Sequence, residues 1–404
     1  MTALPDDVVA PDAICDPHGF FRRLREESPI HWSERHRAWI LTRYRDVMAA
    51  MGEDRLSTDN ISAQSKRLSP EDRAKFAPAA KLLEGWMIFR DPPVHTQLRA
   101  PVRTAFKPRA VASLRSALEA RVDELLEGMA DKSPCSVVRD LAFPLPADAI
   151  AMLLGVPSDR RDDFRRWSRM LGGLVMGKLE RPDVWERALG AERNFSTLFG
   201  DLIARYEREP EDNLISELIR ARDAGEYLDP DQMVGACTLI LFAGHETTAN
   251  LIASGTLALL QNPSQLERLR TEPERIETAV EEMLRYDGPS KVNVRRVRES
   301  FEFEGKPFEK GQKVFISTAA ANHDPEEFPD PDRFDIARDP NRHVGFGWGR
   351  HFCLGAQLAR LETQIAIGRL VARFPKLALA PQELAWEPII LGRSLKGLEV
   401  LPHG

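Results

Sequence analysis

Apolar residues three and four positions apart recur through most of the chain beyond Val94. They cover 94–106, 110–130, 147–155, 159–171, 183–208, 213–224, 230–261, 263–271 and 274–286. That period marks helices that bury one face, and Pro and Gly punctuate the intervals as helix stops should. Two shorter helices precede them: HGFFRRLREES after Asp16-Pro17, and RDVMAAMG, closed by Gly52. Strand-like patterning is thin, confined to ILTRY, KVNVRRV, SFEFEGKPF, QKVFIST and LKGLEVLP. Residues 53–92 are polar and weakly patterned until the apolar run Trp86-Met87-Ile88-Phe89, which reads as a pocket wall. No repeat or linker divides the chain. The pattern predicts one mainly α domain over 1–404 with small β-sheets.

Two stretches conflict with their own local pattern. In ILFAGHETT, Gly244 sits inside a long helix, where it costs about 1 kcal/mol relative to Ala. Glu246, Thr247 and Thr248 follow it and weaken the helical interior further. Such conflicts concentrate at functional sites; the plain alternative is a tolerated kink with threonines bonding back to their own helix. The second stretch is FGWGRHFCLG, residues 346–355, followed by the amphipathic run LGAQLARLETQIAIGRLVARF. Its glycines permit tight turns and close approach. Cys353 stands at the edge of the helix N-terminus, where the dipole favours thiolate over thiol. A lone cysteine beside a helix is more often a small buried hydrophobe, so the motif around it decides.

Composition narrows the classes. With 43% hydrophobic residues the chain can close a large core, and its net charge of −6 leaves no global basic footprint for nucleic acid. Cys15, Cys135, Cys237 and Cys353 are far apart, which fits neither a zinc ribbon nor a disulfide framework and suits a reducing compartment. The acidic, Pro-rich start lacks a secretory pattern, and no segment approaches the ~20 apolar residues of a membrane span. The expectation is a cytoplasmic protein.

The order Phe346, Gly349, His351, Cys353, Gly355 resembles the signature of the cytochrome P-450 superfamily: Phe, two residues, Gly, one residue, His or Arg, one residue, Cys, one residue, Gly. The resemblance implies a single-domain cytochrome P-450 fold, with heme b (iron protoporphyrin IX) between the long central helix and the helix after the Cys loop. Cys353 would be the axial ligand of the heme iron, with Phe346 shielding the sulfur and Gly349 allowing close approach. ILFAGHETT is similar to the family's Ala/Gly-Gly-x-Asp/Glu-Thr motif. By that likeness Ala243 lies on the heme and Gly244 leaves room for dioxygen. Thr247 supplies a hydroxyl, and Glu246, with Thr248 or a water, carries protons. Glu282 and Arg285, with Arg333, resemble the Glu-x-x-Arg helix and its partner arginine, a buried network holding the Cys loop. His95, Arg99 and His351 match the propionate ligands. A further arginine is expected on the KVNVRRV strand, where Arg295 and Arg296 both lie and the spacing favours Arg296.

The same resemblance implies monooxygenation of a hydrophobic small molecule with O2, by C–H hydroxylation or epoxidation. No dinucleotide fingerprint accompanies these motifs, so electrons would come from a ferredoxin or flavodoxin with its reductase. Arg103, Lys107, Arg109 and Arg350 are candidates for docking that carrier. Candidate pocket residues are Trp86, Ile88, Phe242, Val292, Asn293 and Ile390, with Met170–Met176 as a Gly-hinged lid. The rivals are a peroxide-driven peroxygenase, which needs no Glu246–Thr247 relay, and a non-catalytic heme sensor, which needs none of Gly244, Glu246 and Thr247. A Cys353–His351 hydrolase lacks an orienting acid.

Overall fold

The computed structural model describes residues 4–60, 69–175, 182–225 and 229–404. Helices dominate, as the periodicity requires. Two helices match their expected spans to the residue, Pro230–Gln261 (32 residues) and Pro263–Thr271. The run expected over 110–130 is two helices, Pro108–Ser113 and Arg115–Ala130. The weakly patterned 53–92 stretch contains the helix Pro70–Glu84. Ser69 starts it by accepting from the Asp72 amide at 3.0 Å, and Pro70 pre-sets its first turn. Its first turns are exposed, so no apolar stripe betrays it. Met176 of the expected lid lies outside the described residues. No described helix is long and apolar enough to cross a membrane.

The described residues group into two compact units. The first takes described residues within Met1–Leu56, Ala117–Leu145 and Thr247–Gly404; the second takes those within Ser57–Ser116 and Pro146–Glu246.

In the first unit, Ile30–Ser33 pairs antiparallel with Ala38–Leu41, which pairs parallel with Lys313–Ile316, which in turn pairs antiparallel with Asn293–Val297. Ala38–Leu41 is buried at every position, because both sheet faces are covered. One face carries Trp39, Leu41, Val297, Val314 and Ile316 with Met51 and Val344. The other carries Ala38, Ile40 and Phe315 with Phe20, Phe21 and Val292. A third cluster joins the end of the central helix (Leu251, Leu259) to helices Ile276–Asp287 and Ala356–Arg373 through Met283, Leu284 and Ile367.

In the second unit, a Cβ built on Gly235 would lie 2.8 Å from the Gly85 Cα, so glycine is what lets these backbones meet. Next to that contact Trp86 is fully buried and donates from Nε1 to Thr238 Oγ1 at 3.1 Å. Phe164, Trp167, Phe195 and Phe199 interlock helices Arg161–Val175 and Pro182–Arg208, largely edge to face.

Candidate active site

Cysteine chemistry singles out one of the four thiols. Burial pushes Cys135 up to about 11 and Cys237 up to about 12, so both stay protonated. Cys15 is exposed and ends the five-residue helix Pro11–Cys15. Cys353 is partly exposed and stands three residues before Ala356, the first residue of an 18-residue helix. Its loop is stiff. The Cys353 amide donates to the Phe346 carbonyl at 2.9 Å, Gly347 to Val344 at 2.9 Å, and Phe352 to Gly349 at 3.1 Å. Gly347 and Gly349 hold φ of 73° and 69°, which a side chain would strain. Phe352, 40% exposed, flanks the sulfur along the chain, and His351 closes the 3-10 turn Gly349–His351. An accessible thiol before a helix N-terminus, in a glycine-turned loop, suits a soft metal such as heme iron.

Beneath the loop is the acid–arginine network expected around Glu282, with one correction. Arg285 donates to Glu282 from Nε at 2.7 Å and from its terminal nitrogen at 2.9 Å, both residues being buried. The second arginine on that carboxylate is Arg338, at 3.2 Å, not Arg333. The Arg333 side chain is 65% exposed and reaches Asp335 at 3.4 Å; only its carbonyl joins the network, accepting from Arg285 and Arg338. Asp335 N and Asn341 Nδ2 also donate to Glu282. Arg285 further donates to the Asn322 carbonyl at 2.9 Å, and Asn322 Oδ1 takes the Val344 amide at 2.8 Å. That bond ties the network to the start of the Cys loop.

The strand arginines also separate. Arg295 pairs across the sheet with Val314, and so lies on the face that carries Val344; Arg296 pairs with Lys313 on the opposite face. Arg296, which the spacing favours, donates to the Gly311 carbonyl at 2.8 Å in an exposed turn. Alternation is evident in the sequence, but the pairing register is needed to choose the face.

In the second unit, His95 is buried and Arg99 half-buried one turn apart on helix Val94–Ala105. On the central helix, Ala243 and Thr247 are exposed one turn apart, while His245 and Thr248 are buried. A Cβ built on Gly244 would meet Ile150 Cδ1 at 2.7 Å, so the glycine leaves room for that side chain. Burial raises the Glu246 pKa, which keeps its carboxyl protonated to higher pH than usual. Buried His245, which no sequence signal marks beyond its place in ILFAGHETT, meets Ser168 Oγ at 3.1 Å through Nδ1. Arg338 is likewise unmarked, and only the path of the 330–341 loop distinguishes it from Arg333.

Of the candidate pocket residues, Trp86 and Phe242 pack on each other with ring centroids 5.0 Å apart, both buried. Val292 is core, and Ile390 packs against the Phe20–Phe315 cluster. Ile88 is 37% exposed and Asn293 half-buried, so they remain available to a ligand. Among the basic residues, Arg350 is paired with Asp54 and Lys107 lies 4.0 Å from Glu217, while Arg103 and Arg109 are exposed.

A family profile described as Cytochrome P450 matches residues 201–385. The chain is 41% identical over 409 residues to Cytochrome P450 107B1 of Saccharopolyspora erythraea, covering 99% of this chain and 98% of that protein. It is 38% identical to the polyketide biosynthesis cytochrome P450 PksS of Bacillus subtilis, covering 96% and 95%. The crystal structure of CalO2 superposes with a TM-score of 0.92 at 31% identity, covering all of both chains.

Proposed function

The chain belongs to the cytochrome P450 family, and on that footing we propose that Cys353 is the axial ligand of its heme iron. The protein is a heme-thiolate monooxygenase that takes heme b and acts on small organic molecules with O2. When bound, the heme supplies dioxygen activation, to which the thiolate contributes electron density. The observation that carries the assignment is the accessible Cys353 thiol ahead of a helix N-terminus, in a loop turned by two positive-φ glycines.

Around that ligand each residue takes its own role. Glu246, whose burial favours its protonated form, supplies a proton that the exposed Thr247 hydroxyl passes toward dioxygen. Thr248 is buried and supports that helical turn. His95, Arg99 and His351 hold propionates. Arg295 replaces Arg296 in this role, since Arg296 is committed to Gly311. The Glu282–Arg285–Arg338 network holds the Cys loop. Reducing equivalents come from a ferredoxin or flavodoxin with its reductase, in the cytoplasm. The substrate is hydrophobic, and polyketide scaffolds are the first class to test because of the likeness to PksS.

The test is the absorption spectrum of the reduced, CO-treated protein. A strongly red-shifted Soret band in the wild type and its loss in Cys353→Ser are expected; an unshifted band in the wild type overturns the assignment. Thr247→Ala is expected to divert reductant to peroxide, read as product formed per NAD(P)H consumed. Unchanged coupling removes Thr247 from the relay.

A further inference from the structure

A second charged cluster sits behind the cysteine loop. Glu281 adjoins Glu282 in sequence but serves different partners. Its carboxylate accepts two bonds from Arg360, from Nε and a terminal nitrogen, each at 2.7 Å. The same carboxylate meets His343 Nε2 at 3.0 Å. The Gly345 amide donates to His343 Nδ1 at 3.1 Å, which makes Nε2 the protonated nitrogen and the donor to Glu281. His343 is almost fully buried, while Arg360 and Glu281 are about 30% exposed.

The cluster acts on the loop at two points. His343 is fixed at the start of the loop, one residue before Val344. The Arg360 guanidinium lies 4.6 Å from the centroid of the Phe346 ring, a cation–π contact. The Phe346 carbonyl is the acceptor for the Cys353 amide. Arg360 also belongs to the helix that Cys353 precedes, two turns or less from the thiol. It is therefore a cation near the sulfur whose charge is largely cancelled by Glu281. Glu281 is firmly ionised. Burial works against its charge, but the bonds from Arg360 and His343 hold it at about 2.

We propose that Glu281 and Arg360 are a positioning pair that seats Phe346 over the Cys353 loop and sets the reduction potential of the site. This rests on Cys353 being the axial ligand. Groups just outside a metal's ligand set fix the ligands and tune the metal's electronics. The sign is set by charge. An electron arriving at the site adds negative charge beside Cys353, and a nearby cation favours it. Glu281→Gln uncovers the Arg360 charge, so the midpoint potential rises. Arg360→Gln removes the cation and leaves Glu281, so the potential falls. The double variant E281Q/R360Q restores the local net charge and returns close to wild type. Arg360→Lys keeps the charge but lacks the planar fork, so it stays closer to wild type than Arg360→Gln.

The experiment is spectroelectrochemical titration of the purified holoenzymes, paired with the reduced-CO spectrum of each. Opposite shifts for the two single variants, with cancellation in the double, are expected, all with a thiolate-type CO band. A pair that only braces the loop would shift both potentials the same way or erode the CO band equally in each. That result, or no shift in either variant, overturns the proposal. If the neutral variants load no heme, Glu281→Asp and Arg360→Lys are titrated instead. Glu281→Asp lengthens the bridge and is expected to raise the potential; a fall or no change overturns the proposal. A wild type without the thiolate-type band would refute the ligand assignment itself, a separate and visible failure.

Discussion

Arg338→Ala and Arg333→Ala, two substitutions five residues apart on one loop, are expected to differ several-fold in cost. The Arg338 side chain is 11% exposed. It donates to Glu282 at 3.2 Å and to the carbonyls of Pro329 at 2.8 Å, Asp330 at 3.2 Å and Arg333 at 3.0 Å. Glu282 is fully buried between it and Arg285. Truncating Arg338 leaves that carboxylate with one cation and removes the donor from the Pro329 and Asp330 carbonyls. Breaking a buried pair from one side costs ~3–5 kcal/mol, a large share of a typical stability of ~5–15 kcal/mol. Arg333 loses only an exposed contact to Asp335 at 3.4 Å, worth ~0–1 kcal/mol. Its carbonyl, the part the network uses, survives the substitution. Denaturant midpoints by far-UV circular dichroism give stability, and pyridine hemochrome per mole of protein gives loading. Arg338→Ala should lower both while leaving turnover per bound heme near wild type. Equal costs for the two variants, or full stability in Arg338→Ala, would refute the assignment of Arg338 to the network.

Lys291 is buried, donates to the Val8 carbonyl at 3.1 Å, and is pushed down to about 8 by burial and by Arg393. The unfolded chain therefore holds that proton more tightly between about pH 8 and 10.4, so wild-type stability gains up to ~1.4 kcal/mol per pH unit in that window. Lys291→Met should lack this gain in denaturant titrations at pH 7.5 and 9.5, and parallel pH profiles would contradict it. Gly235→Ala would gain up to ~1 kcal/mol from helix propensity, but the new methyl meets Gly85 backbone at 2.8 Å. A net loss of ~1–3 kcal/mol is expected from overpacking, and a raised melting temperature would contradict it. Arg109→Glu should slow reduction by an acidic carrier at low salt and have little effect at high salt; a salt-independent rate removes Arg109 from the docking face.

Legibility in the sequence tracked how local the determinant is. The helix Pro230–Gln261 and the Cys353 loop announce themselves because periodicity, glycine placement and motif order lie within one stretch. Helix Pro70–Glu84 did not, because its exposed early turns carry no apolar stripe and only the Ser69 cap and Pro70 mark its start. Residue types were easier to foresee than directions. An arginine pairing with Glu282 was expected, but whether Arg333 or Arg338 turns inward depends on how the loop crosses the helix. Arg295 and Arg296 alternate on any strand, and only pairing with Val314 and Lys313 decides which shares a face with Val344. Gly244 stands out within its helix, but the Ile150 side chain packed against it comes from a residue 94 positions away.

The state of the buried thiols has a consequence for durability. A monooxygenase that fails to complete its reaction releases peroxide beside its own chain, and peroxide attacks thiolates. With Cys135 at about 11 and Cys237 at about 12, roughly one in ten thousand or fewer of these groups is ionised at neutral pH. Both are also closed off from solvent. Outside the Cys353 loop, the thiol that solvent-borne peroxide can reach is Cys15, exposed on a short helix of the first unit. The core thiols are therefore shielded from the chemistry carried out around them.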